Sequence, residues 1–180
     1  KKLKKQKGFS LLEMLVSISV VVLMSGLFLA DYHSANKRSA LVNAAQKMAS
    51  DIRLAQQFSS GAREFNGVPS AGGWGVYFNK TTPDYYIIFA DINAPAGNKS
   101  YDTGEMFKQI NLPAGVSIDS IIDEEDTALN AVAVTFLPPD PITYIAASLN
   151  KKARIALRDV NTNSVKTAEV NFLGLVEIIN

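Results

Sequence analysis

Three hydrophobic rhythms follow one another along the chain. From Phe9 to Ala30 the residues are almost all apolar, and Glu13 is the only charge among them. At about 1.5 Å per helical residue, a run of about 22 residues can cross a hydrocarbon core of about 30 Å. The rhythm then becomes a stripe. Leu41, Ala44, Ala45, Met48, Ile52, Ala55 and Phe58 recur at intervals of three and four, which marks one apolar face of a helix. Lys37, Arg38, Lys47, Asp51 and Arg53 fall largely off that face. Met48→Asp is therefore expected to destabilise and Lys47→Asp to change little. No proline interrupts Phe9 to Ser60, and Ser59-Ser60-Gly61 supplies a stop with Gly61 as the C′ residue. The pattern predicts one helix of about 52 residues, with a membrane-length half over 9–30 and an amphipathic half over 31–61.

The third rhythm is short and β-like. Asn66-Gly67, Pro69 and Gly72-Gly73 punctuate the change. Strands are then expected at 73–78, 85–90, 107–110, 116–122, 132–136, 142–145, 153–158, 167–172 and 175–179, with a hairpin turn at Asn161-Thr162-Asn163-Ser164. The fold class is α+β: a long N-terminal helix packed on an antiparallel β-sheet domain over 62–180.

Charge changes the reading of the N-terminus. Lys1, Lys2, Lys4, Lys5 and Lys7 precede the apolar run, so that end is expected to stay cytoplasmic and the remainder to lie outside. The whole chain has 18 basic and 17 acidic residues; without the five leading lysines 13 and 17 remain, a net of −4. Such a balance gives no global field for nucleic acid. There is no cysteine, so disulfides and thiol nucleophiles are out. The single histidine, His33, has no second His or Cys with which to build a metal site and reads as a solvated helix residue. No phosphate loop or nucleophile elbow is present, and the chain does not read as an enzyme.

Glu13 is the anomaly. A carboxylate in an apolar span costs about 2.5–3.5 kcal/mol on insertion scales. A secretory signal peptide would have an apolar core of roughly 7–15 residues and a small-x-small cleavage site, and Asp31-Tyr32-His33-Ser34-Ala35 offers a poor one. A plain membrane anchor explains the length and the lysines but not Glu13. Lysines, then Gly8-Phe9, then Glu13 at the head of an apolar span resemble the class III leader of type IV prepilins and pseudopilins. The resemblance implies a leader at 1–8, cleavage between Gly8 and Phe9, methylation of the Phe9 amine, and filament assembly through 9–30 with Glu13 as an assembly residue. It also implies, as partners, a prepilin peptidase, an inner-membrane assembly platform and other pilin or pseudopilin subunits.

Later segments are similar to the GspH/FimT group of minor pilins and pseudopilins. They are Arg53-Leu54-Ala55 in an Ala-rich helix, Gly73-Trp74-Gly75-Val76-Tyr77-Phe78, Phe89-Ala90-Asp91-Ile92-Asn93 with Tyr101-Asp102-Thr103-Gly104-Glu105, Leu112-Pro113-Ala114-Gly115-Val116, Val134-Thr135-Phe136 and Val170-Asn171-Phe172-Leu173-Gly174. The resemblance implies a pseudopilus-tip subunit or a pilus subunit that binds DNA.

Two clusters carry candidate chemistry. Lys151, Lys152, Arg154 and Arg158 are a candidate DNA-binding patch, with Arg154 and Arg158 on one side of a strand and Ala153, Ile155 and Leu157 on the other. The bland reading is a solvated strand edge. Asp91, Asn93, Asp102 and Glu105 are oxygen donors that leave calcium open as a cofactor, although EF-hand spacing fails and Asp and Asn are ordinary turn residues. Asp123-Glu124-Glu125-Asp126 reads as a solvated loop. Three functional classes stay open: a filament subunit, a DNA-binding or adhesive protein displayed on that filament, and an unrelated membrane-anchored exported domain.

Overall fold

The computed structural model describes residues 10–138, 142–146 and 151–179, and the side chains of these except 29–38. Gly8, Phe9 and His33's side chain therefore lie outside what it describes. One helix, α1, runs Leu11–Ser60. The chain divides into two compact units, Lys1–Lys37 and Arg38–Asn180.

In the first unit α1 begins with Ser10, whose Oγ accepts the backbone N–H of Glu13 at 3.2 Å. This is an N-cap, and it places Glu13 at N3, where the positive end of the helix dipole favours an acid. Leu11–Phe28 has a mean hydropathy of 2.3 and none of it is buried. Ser17, Ser19 and Ser25 each donate to the carbonyl four residues back, at 2.8 Å. Turning the hydroxyls inward leaves a side-chain surface of hydrocarbon apart from Glu13.

In the second unit ten strands among the described residues form two antiparallel sheets. Sheet I has the order β3-β2-β1-β6-β7, from β1 Gly73–Asn79, β2 Tyr85–Asp91, β3 Met106–Asn111, β6 Ala131–Leu137 and β7 Ile142–Ile145. Sheet II has the order β10-β9-β8-β4-β5, from β4 Val116–Asp123, β5 Ala128–Leu129, β8 Ala153–Asp159, β9 Val165–Val170 and β10 Val176–Ile179. The expected strands are present to within a few residues. β5 was not foreseen, because two residues carry no period. The stretch 167–172 ends two residues early, because Asn171 closes a turn instead: its Oδ1 accepts the N–H groups of Leu173 and Leu175.

One core joins α1 to both sheets. It contains Leu41, Ala45, Met48 and Ile52 of α1, Trp74, Phe78 and Phe136 of sheet I, and Ile121, Ile155 and Val170 of sheet II. The stripe therefore docks as its spacing implies. Each fully buried side chain of that size contributes about 1.5–3 kcal/mol. At the last turn of α1, Phe58, Trp74 and Phe107 meet edge to face, at 5.0 Å for Phe58–Trp74 and 5.3 Å for Trp74–Phe107. The Arg63 guanidinium lies 4.1 Å from the Phe58 ring centroid.

The helix stop differs from expectation. Ala62 N–H donates to Ser59 O and Arg63 N–H to Phe58 O. That is a Schellman pattern with Ala62, not Gly61, as the left-handed C′ residue, at φ 45°.

Candidate functional site

α1 is fixed to the sheets by polar contacts as well as by its stripe. Asp51, expected off the apolar face, is only 6% exposed. Tyr86 of β2 donates to its Oδ2 at 2.6 Å, and Lys47 one turn back reaches the same carboxylate at 3.0 Å. Burial, and then the bond to Asp51, raise the Tyr86 pKa, so the phenol stays a donor. Lys47 is thus not a bystander. A second acid there would face Asp51, so Lys47→Asp is now expected to cost more than its place off the stripe implies. Arg53 donates to Val176 O of β10 at 2.9 Å, and Ser59 donates to Phe136 O of β6. The signal for Asp51 was present in the sequence: it follows Met48 by three and precedes Ile52 on the stripe, where an acid survives only with a partner.

The loop after β2 does not bring Asp91, Asn93, Asp102 and Glu105 together as a metal ligand set. Among the described residues no group of three or more His, Cys, Asp or Glu is placed to hold an ion. The oxygens serve the chain's own donors instead. Asp91, fully buried, accepts Lys99 N–H at 2.7 Å and Asn93 N–H at 3.3 Å. Asp102 accepts the side-chain amides of Asn93 and Asn98, at 2.8 and 2.6 Å. Glu105 accepts Ile92 N–H at 3.2 Å and Asp102 N–H at 2.8 Å. Burial raises the Glu105 pKa; the two amide bonds pull it back, and the charges of Asp91 and Asp102 push it up further. The result is a strap, 92–105, lashed across the face of sheet I turned away from α1. Gly72 and Gly97 allow the close approach. A Cβ would meet Asp91 Oδ2 at 1.9 Å on Gly72 and at 2.3 Å on Gly97.

Arg154 and Arg158 lie on one face of β8 as expected, with Ala153, Ile155 and Leu157 buried on the other. However, β8 is a central strand between β9 and β4, so the edge reading is corrected. The cations are also engaged. Lys151 pairs with Glu125 at 3.2 Å, Arg154 with Asp126, and Arg158 with Asp119 at 2.9 Å. The acidic run is folded as a turn by Asp123 Oδ1, which accepts the N–H groups of Glu125 and Thr127 at 2.9 and 2.8 Å. Lys152 is half-buried.

An exposed apolar helix with one acid near its start, leading into a helix docked on antiparallel sheets, defines a pilin-like α+β protein with a membrane-length segment. The family model described as the prokaryotic N-terminal methylation motif matches residues 3–29. The match supports a type IV pilin-like subunit, membrane-anchored and then filament-displayed. Such a motif implies assembly with other pilins and handling by a prepilin peptidase, and it marks a structural rather than a catalytic family. Neither a curated protein nor a solved structure matches the chain significantly.

Proposed function

We propose that the chain is a minor subunit of a type IV pilus or type II secretion pseudopilus, of the GspH/FimT kind, assembled through α1. The observation that carries this reading is Glu13. It is a lone carboxylate on an otherwise hydrocarbon helix surface, three residues after the capping Ser10. In a filament its partner is the methylated amine of Phe9 on a neighbouring subunit, freed when the peptidase cuts after Gly8. Pairing offsets the burial of both charges. The leading lysines hold the N-terminus on the cytoplasmic side until the peptidase removes them.

Two measurements test the proposal. Mass spectrometry of the membrane-extracted protein should give a mature chain beginning at methylated Phe9; a terminus beyond Ala30 sinks the reading. Removing one partner of a buried ion pair typically costs about 3–5 kcal/mol. Glu13→Ala should therefore be cleaved normally yet be depleted from sheared filaments, and equal recovery of the two proteins would remove Glu13 from assembly.

A further inference from the structure

The strap builds one wall of a cavity that the assembly role does not use. Its volume is about 310 Å³, and Tyr77, Lys99, Ser100, the β6 stretch Ala131-Val132-Ala133, and Ala146 line it. This is the lower end of the size range of small-molecule pockets, roughly 300–1,000 Å³, and suits about one ring. The floor is low because β6 carries alanines at 131 and 133 where the opposite face of the same strand carries Val132, Val134 and Phe136.

The walls are held in place. Lys99 N–H is bound to Asp91, and Lys99 O accepts Thr135 Oγ1 at 3.2 Å. Ala146 N–H donates to Ala133 O at 3.0 Å. Tyr101, next along the strap, packs on Tyr77 at 5.2 Å and on Phe89 at 5.7 Å. A site fixed by backbone bonds on two sides loses little entropy on binding. The lining is also mixed. It offers one aromatic ring, methyl groups, a hydroxyl and an ammonium, whereas the smaller cavity of about 150 Å³ beside α1 is lined largely by apolar groups such as Ala44, Ile110, Leu112 and Pro113. A purely apolar guest would bring no partner to the polar side of the lining, where Ser100 and Lys99 stand. A pyranose ring does not: its C–H face lies on tyrosine and methyls, and its hydroxyls meet the polar wall. Among the described lining residues Lys99 carries the one charge; its Nζ donates to Ala96 O and stands 5.5 Å from the Tyr144 ring centroid, with hydrogens left for a further acceptor.

We propose that this cavity binds a carboxylated pyranose, a uronic acid residue of an acidic polysaccharide, with Lys99 on the carboxylate and Tyr77 under the ring. The site is independent of filament assembly and lies on the face away from α1.

Saturation-transfer NMR on the full chain, in a detergent without sugar groups, tests the proposal with methyl β-D-glucuronide, methyl β-D-glucoside and acetate. A Kd on the order of 1 mM is expected for one sugar ring. The glucuronide should receive saturation at its ring C–H protons. The glucoside should bind about tenfold more weakly, for want of the charge-assisted bond, and acetate should show no competition at equal concentration. Lys99→Gln should bring the glucuronide down to the glucoside, and Ala131→Leu should fill the floor and abolish both. If Ala131→Leu does not fold, Ser100→Leu reads the same wall. Absence of transfer from the glucuronide, equal binding of the two glycosides, or unchanged binding in a folded floor or wall variant would each overturn the proposal.

Discussion

At the scale of single residues the molecule keeps acids where its own donors can hold them. Asp51 is the sharpest case, since a buried carboxylate between Met48 and Ile52 is tolerated only with Tyr86 and Lys47 on it. Hydrogen bonds to charged groups contribute about 1.5–3 kcal/mol, so Tyr86→Phe should lower stability by about that amount. Met48→Asp, with no partner available, should cost several kcal/mol. Lys47→Asp should cost more than Gln46→Asp, whose exposed position should keep the change within about 0.5 kcal/mol. Thermal melts of the four variants beside the wild type read the order directly, and equality of Lys47→Asp with Gln46→Asp would remove Lys47 from the network. Glu105 makes a pH statement. Its folded pKa is raised by burial, so the ionised form is the one that costs stability. The contribution of Glu105 is therefore best below its unfolded pKa and is lost as pH rises through the raised folded value. Glu105→Gln does not titrate there. The wild-type advantage over Glu105→Gln should be largest at about pH 4 and shrink toward about pH 7, whatever the other carboxylates do. A gap that widens with pH would mean that the two amide bonds outweigh burial.

At the scale of elements, local chemistry decides what periodicity leaves open. The stripe on α1 was readable because one face of it meets one core, and the strands because they are short aromatic and β-branched runs between turn residues; β1, β2 and β6 are buried on both faces and show no clean alternation. The positions misread from sequence depend on a partner far along the chain. Asp51 finds Tyr86 at a separation of 35 residues, and Arg158 finds Asp119 at 39. Likewise, β8 looked like a basic edge because nothing in its own residues says that β4 and β9 flank it. The helix stop failed differently. Two residues competed for the left-handed position, and glycine was the default choice, yet the carbonyls of Phe58 and Ser59 are satisfied only if the chain turns at Ala62. A left-handed alanine costs about 1–2 kcal/mol, while glycine's extra freedom in the unfolded chain gives back roughly 0.5–1 of that. Ala62→Gly should therefore raise stability by up to about 1 kcal/mol. Gly61→Ala should lower it only modestly: no left-handed φ is required there, and the one tight contact of the added Cβ is with Gln57 O at 3.3 Å. Calorimetry on the pair would show the reverse order if Gly61 were the C′ residue.

At the scale of the whole molecule the question is what the domain after the apolar segment presents to its surroundings. The class of the protein was legible in residues 3–29 because Glu13 is costly where it stands, and cost marks purpose. What the displayed domain touches was less legible, because charge in a sequence is counted without knowing which charges cancel. The four cations at 151–158 read as a patch; folded, Lys151, Arg154 and Arg158 face Glu125, Asp126 and Asp119. DNA must compete with those carboxylates before it gains any counterion release, and the chain without its five leading lysines has a net charge of −4. We therefore expect no duplex binding by the mature chain near physiological salt. Neutralising the competitor should reveal whatever affinity remains. With Glu125→Gln and Asp126→Asn, weak binding at low salt should appear, with a log–log salt slope no steeper than about −3.6, the value for about four phosphates contacted. Fluorescence anisotropy across a salt series measures both proteins. Tight binding by the unaltered chain, lost in the Lys151→Glu, Arg154→Glu double variant, would show that the acidic turn does not mask the patch and would make the protein a DNA receptor on its filament.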